Sequence, residues 1–310
     1  MSASVAVGVF DGLHLGHRAI LERALESART HGGPCIVVSF DPHPDVVLAK
    51  PFRAIAPLTP VPEKRSRMGA MGITELEVLP FTRELAALTP EEFVDRHLVA
   101  PYHPQSLVVG NDFALGRGRA GNVARLREIG TTRGFDVQAV PLLERDGAPV
   151  TSTRIRGLLE EGQVAAAARL LGRPYDLLGR VVTGEGVGRT LGVPTANLRL
   201  HDEKLVPGHG IYAVWVRIGH ESDVHPGAMS IGVRPTFGGQ VRTLEVHLLD
   251  WSGDLVGKDL TVEFVEWLRP ELQFENAEAL VQAMRADLVN TRRVLEASRG
   301  PGASAGAVST

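Results

Sequence analysis

The chain has 310 residues, is 44% apolar and carries a formal net charge of -3. That is enough for two domains with real cores, and too little positive charge for a body-wide attraction to nucleic acid. A single cysteine, Cys35, excludes an internal disulfide framework, and no apolar run reaches the ~20 residues that span a bilayer. The opening residues lack the basic region and apolar core of a signal peptide, so the expected location is cytoplasmic, with neither membrane nor nucleic acid as a partner.

The first half alternates short apolar runs with helical patterns. ASVAVGVF is a strand candidate, followed by HRAILERALESART with Ile20, Leu21, Ala24, Leu25 and Ala28 on one helical face. CIVVSF, ELEVLP, SLVVG and DVQAV are further buried-strand candidates, and Cys35, heading the first of these, is a small core residue. TPEEFVDRHLV predicts a helix with Thr89 as cap, Pro90 in the first turn and Glu92 closing a capping box. Strand–helix alternation predicts a parallel sheet covered on both faces, with ligands beyond the carboxyl ends of its strands.

The pattern changes near Gly172-Arg173-Pro174. A helical stretch, TSTRIRGLLEEGQVAAAARLL, precedes it; the period-two runs LLGRVVTG, IYAVWVRI, TLEVHLLD and KDLTVEFVEWL follow. Such runs between glycine and proline turns predict a compact antiparallel barrel or sandwich. NAEALVQAMRADLVNTRRVLEA returns to helix, and GPGASAGAVST is a flexible tail. The expected class is α/β plus all-β: a parallel-sheet domain over 1–172, an antiparallel domain with a terminal helix over 173–299, and a tail over 300–310.

GVFDGLHLGH, residues 8–17, is the densest cluster of chemistry-bearing residues. A strand ending at Val9 delivers Phe10 to Gly16 to the sheet edge. Gly8 and Gly12 permit close backbone approach to a ligand, and Gly16 stands at the start of a helix whose amino end favours phosphate. His14 and His17 are then placed to donate to phosphate oxygens and to stabilise charge developing in a transfer reaction. A plain glycine turn with two surface histidines, or a zinc site short of further ligands, are the competing readings.

The stretch resembles the G-x-F-D-G-x-H-x-G-H element of nucleotidyltransferases. The chain also contains SFDPHPDVVL, VVGNDFALGRGRAG, VTSTRIRGLLEEG, AAARLLGRPY, GRVVTGEGVGRTLGVPTANL, GHGIYAV, IGVRPTFGG, TLEVHLLD and LRPELQF. With these, residues 4–290 resemble, in order, the bacterial bifunctional riboflavin kinase/FMN adenylyltransferase family, also called FAD synthetase. The resemblance implies a Rossmann-like nucleotidyltransferase domain followed by a riboflavin kinase barrel. It implies two reactions: riboflavin and ATP to FMN, then FMN and ATP to FAD and pyrophosphate, both with Mg2+.

In the first half the resemblance implies phosphate contacts from His14 and His17 and nucleotide contacts from Gly8, Phe10, Asp11, Gly12 and Gly16. Asn111 follows the strand SLVVG and is expected at the same sheet edge. Ser152, Thr153 and Arg156 lie at a helix start, where hydroxyls, amides and a guanidinium suit a triphosphate; helix capping with a solvated arginine is the bland reading. Phe40 and Asp41 are expected to face the cleft, with Pro42 and Pro44 stiffening the exit; a flavin contact and a purely structural proline turn are the two readings. Ala114 stands where the family often has a basic residue; Arg117 and Arg119 are nearby substitutes.

In the second half Gly184, Gly188 and Arg189 lie in a glycine-rich loop that lacks the G-K-[ST] ending of a P-loop. Thr195 and Asn197, two apart, share a face on a strand, where their oxygens suit a magnesium ion; a proline turn entering a strand is the alternative. Leu244, Val246 and Leu248 alternate inward, so Glu245 and His247 share the opposite face. A strand glutamate is ordinarily a solvated face residue; the resemblance makes Glu245 the base that takes the proton of the riboflavin 5′-hydroxyl. Arg269 in LRPE is the expected flavin contact. Ser230 stands where relatives often carry Asn, and Leu255-Val256-Gly257 lacks a tyrosine often found there.

Three other functions use parts of the same pattern. One is an adenylyltransferase with a catalytically silent flavin-binding barrel. Another is a tRNA-charging enzyme, which shares an H-x-G-H element, although no K-M-S-K-S element and no tRNA-reading domain is present. The last is a flavin-binding regulator without turnover.

Overall fold

Val5, Ala6 and Val7 are fully or almost fully buried, and the strand they form is the middle of the first sheet. The computed structural model describes residues 3–48, 55–184, 188, 192–236 and 239–298, without side chains at 234–240. The chain divides into two compact units, residues 1–154 and 155–310. Arg189 and the tail 300–310 lie outside the described residues.

In the first unit β1 (Ser4–Val7), β2 (Cys35–Asp41), β3 (Glu75–Pro80), β4 (Ser106–Gly110) and β7 (Asp136–Val140) form an all-parallel sheet in the order β3-β2-β1-β4-β7. Two short ribbons, β5 (Ala114–Leu115) with β6 (Gly121–Asn122) and β8 (Glu144–Arg145) with β9 (Ala148–Pro149), lie outside it. Both faces of the sheet are covered. One packs Ala6, Val37 and Val108 against Leu21, Ala24, Leu25 and Ala28 of α1 (Leu15–His31). The other packs Val5, Val7, Val38 and Val109 against Phe93, Val94, Leu98, Leu126 and Ile129. α2 (Pro44–Leu48), α3 (Val61–Ala70), α4 (Arg83–Ala87), α5 (Pro90–Val94), α6 (Ala100–Tyr102) and α7 (Val123–Arg133) complete this unit. The expected capping box forms: the Thr89 hydroxyl accepts from the Glu92 amide at 3.2 Å, and Glu92 accepts from the Thr89 amide at 2.9 Å. The helix it starts runs on through a π-turn at Asp95–Val99.

The structure corrects three expectations. β1 ends at Val7, two residues before the expected Val9, because the chain bends at Gly8. The stretch after Thr151 is two helices, α8 (Ser152–Glu160) and α9 (Val164–Leu171), broken where Gly162 takes φ +77. Phe40 does not face a cleft; it is 8% exposed and packs against Phe81 and Phe93, while Asp41 is exposed.

The second unit is a closed six-stranded antiparallel barrel. Its strands are β10 (Asp176–Val182), β11 (Ala196–Leu200), β12 (Gly210–Ile218), β13 (Val224–Thr236), β14 (Gly239–Leu248) and β15 (Asp259–Arg269), in the order β10-β11-β14-β13-β12-β15. Closure leaves no sheet edge exposed. Alternate residues fill the interior: Tyr212, Val214 and Val216, Leu244, Val246 and Leu248, and Leu260, Val262 and Phe264 are all buried. The terminal helix α10 (Ala277–Ser298) buries Asp287, Thr291 and Leu295.

Candidate active sites

In the first sheet β1 pairs with β2 on one side and β4 on the other, so the direction of winding reverses between β1 and β4. The carboxyl ends flanking this switch point carry residues 8–17 and Asn111, which is where ligands bind in open α/β sheets. Asn111 is exposed, and its amide is anchored to the Val140 carbonyl at 2.9 Å.

The turn after β1 is strained. Phe10 and Leu13 have φ +50 and +45, and Gly12 has φ +88. A left-handed residue with a side chain costs about 1–2 kcal/mol. Here both side chains are almost fully buried, at 1% and 4% exposure, which contributes about 1.5–3 kcal/mol each and offsets the strain. Polar locks add to this. The buried Asp11 carboxylate accepts from the amides of Leu58 at 2.9 Å and Thr59 at 3.0 Å. The Ser152 hydroxyl donates to the Asp11 carbonyl at 2.8 Å, which ties the start of α8 to the same turn. The Val9 carbonyl accepts from the Ser39 hydroxyl at 2.9 Å and from the Lys64 ammonium at 2.7 Å. Phe10 and Asp11, expected as nucleotide contacts, thus sit within the support of the turn.

His14 caps α1: its Nδ1 accepts from the His17 amide at 3.2 Å. An imidazole accepting at Nδ1 in the neutral form carries its proton on Nε2. The His14 and His17 rings stack with centroids 3.6 Å apart. A Cβ on Gly16 would stand 3.2 Å from the His14 ring, closer than ordinary contact. His17 Nδ1 is buried with no hydrogen-bond partner among the described residues. Burial, followed by the neighbouring His14 and Lys64, holds the His17 pKa well below the ordinary histidine value. Two imidazoles therefore stand over the amino end of α1, one with its Nε2–H assigned by its cap and one kept uncharged. Thr153 is exposed on the first turn of α8, and Arg156 follows one turn further along that helix.

The second site lies on the barrel wall. Glu245 of β14 is registered directly against Asn197 of β11 on one side and Ser230 of β13 on the other. The Thr195 hydroxyl donates to Glu245 Oε2 at 2.9 Å. The His247 Nδ1–H donates to the Pro194 carbonyl at 2.7 Å and so holds the entry to β11. Gly184 and Gly188 lie close against this pair. A Cβ on Gly184 would fall on the Asn197 side chain; one on Gly188 would overlap the Val193 carbonyl and come within 3.1 Å of Thr195 Oγ1. A hydroxyl, a carboxamide and a carboxylate thus converge beneath backbone that only glycine allows. The hydroxyl and the carboxamide are hard oxygen donors in a cradle that a Cβ would fill, and they fit a magnesium ion that completes its shell with water and phosphate, with the Glu245 carboxylate beside it.

Arg269 is not directed at open space. Its guanidinium grips Asp287 of α10 with two bonds, at 2.8 and 2.7 Å, and a further N–H reaches the Pro270 carbonyl at 2.8 Å. Lys64 also belongs to the support of the first site, through the Val9 carbonyl, although its sequence context hides this. It sits in the basic run EKRSR, and the one available signal was its position four residues before the buried Met68, on the same face of α3.

Residues 1–154 match the model of the FAD synthetase family and residues 171–295 that of the riboflavin kinase family. This chain belongs to the bifunctional riboflavin kinase/FMN adenylyltransferase family. Relatives bearing that name include one from Pseudomonas fluorescens, 42% identical over 92% of this chain and 91% of its own length. Another, from Listeria monocytogenes, is 36% identical over 93% and 91%. A solved structure titled a macrolide-efflux protein from Streptococcus pneumoniae superposes with a TM-score of 0.87 at 32% identity, over 94% of each chain. The family's two domains correspond to the parallel-sheet unit and the barrel. No helix among the described residues is long and apolar enough to cross a membrane.

Proposed function

We propose that residues 1–172 adenylylate FMN and residues 173–299 phosphorylate riboflavin, in the cytoplasm and with magnesium, and that the two sites described above carry these reactions. Both steps use ATP, and together they make FAD from riboflavin by way of FMN. The observation that carries the reading is the presence of both family domains, in order, on one chain whose barrel keeps Thr195, Asn197 and Glu245 together. An intact trio gives no support to a silent flavin-binding barrel.

In adenylyl transfer the FMN phosphate is itself the nucleophile and is already ionised, so no protein base is required. Catalysis is then alignment of two anions and neutralisation of charge around the α-phosphorus. His14, through Nε2–H, and His17 donate to phosphate oxygens. The backbone at Gly8, Gly12 and Gly16 supplies close approach. Asn111 holds the nucleotide, and Ser152, Thr153 and Arg156 serve the triphosphate. Phe10 and Asp11 act by holding the turn in shape.

In riboflavin phosphorylation Glu245 takes the proton from the ribityl 5′-hydroxyl as that oxygen attacks the γ-phosphorus. Thr195 and Asn197 supply oxygen ligands for magnesium, which when bound neutralises phosphate charge. The Thr195 hydroxyl also orients the carboxylate. Gly184 and Gly188 bring backbone close to the phosphates, and Arg189 is the further phosphate contact. Arg269 shapes the flavin end by fixing the strand exit to α10.

The two assignments separate by mutation. Glu245→Gln is expected to slow FMN formation from riboflavin by about 10²–10⁴-fold and to leave FAD formation from supplied FMN intact; His17→Asn is expected to slow FAD formation and leave FMN formation intact. Loss of neither activity, or of both in each variant, would contradict the division of labour.

A further inference from the structure

Lys64 is a lysine almost sealed from solvent, 4% exposed, on the inner face of α3. Isolating an ammonium from water is costly unless it is paired and hydrogen-bonded, and a methionine would fill the same space without that cost. Two hydrogen bonds of its ammonium converge on one place. Nζ donates to the Val9 carbonyl at 2.7 Å and to Ser39 Oγ at 3.2 Å, and Ser39 donates to the same Val9 carbonyl at 2.9 Å. Val9 is the last residue before the strained turn.

The charged groups around Lys64 come from several elements. Asp11 from the turn and Asp41 from β2 favour the ammonium, and His17 from α1 feels its charge. On its own helix Glu63 is turned to Arg67 at 2.6 Å. Burial, acting against the two carboxylates, lowers the lysine pKa from its ordinary value. The segment before and within α3 therefore grips the turn twice. The Leu58 and Thr59 amides hold Asp11, and the Lys64 ammonium holds Val9.

We infer that Lys64 is a positioning residue for FMN adenylylation: its ammonium fixes the Val9 carbonyl, and with it the turn that presents His14 and His17, and it places a positive charge behind the segment that meets phosphate. The inference rests on the adenylyl-transfer site being at this turn.

The test compares wild type, Lys64→Met and Lys64→Arg for FAD formation from FMN across pH. Riboflavin phosphorylation and thermal unfolding of the same preparations serve as controls. Lys64→Met should lower kcat for FAD formation at least about ten-fold, since misplaced reacting groups cost that much or more, with riboflavin phosphorylation unchanged. Lys64→Arg should recover most of the rate. Wild-type FAD formation should fall at alkaline pH below the usual lysine range, and that fall should be missing from Lys64→Arg, because arginine stays charged. Full activity in Lys64→Met, or equal loss in Met and Arg variants of equal stability, overturns the inference. If Lys64→Met does not fold, the alkaline limbs decide: the same limb in wild type and Lys64→Arg overturns it. Should FAD formation survive both His14→Asn and His17→Asn, the site placement has failed rather than the role of Lys64.

Discussion

Thr195 and Glu245 are fifty residues apart in sequence, yet the Thr195 hydroxyl, at the entry to β11, donates to the Glu245 carboxylate on β14 at 2.9 Å. The bond joins the proposed metal ligand to the proposed base. Removing the hydroxyl should therefore disturb both functions. Thr195→Val is expected to raise the magnesium concentration needed for half-maximal riboflavin phosphorylation, and to lower kcat. Glu245→Gln should lower kcat by about 10²–10⁴-fold, the usual range for loss of a general base, with little change in the magnesium requirement. Magnesium titrations of the two variants, with riboflavin as substrate, separate the roles.

The glycine loop gives a steric prediction. Gly184→Ala drives a methyl group onto the Asn197 side chain, and Gly188→Ala drives one into the Val193 carbonyl. Each should cut riboflavin phosphorylation while leaving FMN adenylylation at its wild-type rate. Far-ultraviolet circular dichroism should show the barrel intact. Wild-type activity in both variants would mean that the backbone at Gly184 and Gly188 does not lie against Asn197 and Thr195 during turnover.

Much of this was legible in the sequence because local pattern and tertiary demand agreed. ELEVLP, SLVVG and DVQAV became strands over the same residues, and the alternation of Leu244, Val246 and Leu248 put Glu245 on the other face. β13 escaped the period-two reading because it contains Pro226, Gly227 and Gly232, residues that argue against a strand. The barrel explains Gly227: a Cβ there would press on the His247 carbonyl and Val216. The helix break at Gly162 was hidden because a glycine within a helical pattern is tolerated. Only the packed barrel shows Trp267 and Tyr212 crowding against it. The role of Lys64 depends on contacts with Val9 and Ser39, far away in sequence, and the Asp287 partner of Arg269 on how the last helix folds back onto the strand before it, which no local pattern specifies.

Arg269 and Asp287 form a two-point ion pair in which both side chains are largely shielded, 21% and 10% exposed. Removing one partner leaves the other poorly solvated. Arg269→Ala is expected to destabilise the barrel unit by about 2 kcal/mol, in the range for hydrogen bonds to charged groups. Asp287→Asn should weaken it less. If Arg269 acts on flavin through the clamp, both variants raise the KM for riboflavin; a rise in Arg269→Ala alone would mean direct contact. Denaturant unfolding and riboflavin kinetics measure the two effects.

His17 predicts a pH dependence of stability. Its folded pKa lies well below the ordinary value of 6.5, chiefly through burial. Between the folded and unfolded values the unfolded chain binds more protons, so stability rises with pH. The contribution is complete above the unfolded pKa of about 6.5 and is lost as pH falls below it toward the folded value. Thermal unfolding of the first unit should therefore weaken between pH 7.5 and pH 5.5, and His17→Gln should weaken less over the same range.

The central claim is that one chain performs two consecutive ATP-dependent steps. The most direct test is a time course with riboflavin, ATP and magnesium, with the flavins separated by chromatography. FMN is predicted to appear first and FAD later, with FAD rising as FMN declines. FMN that accumulates without FAD would contradict the adenylyltransferase site at His14 and His17, and absence of FMN from riboflavin would contradict the role of Glu245.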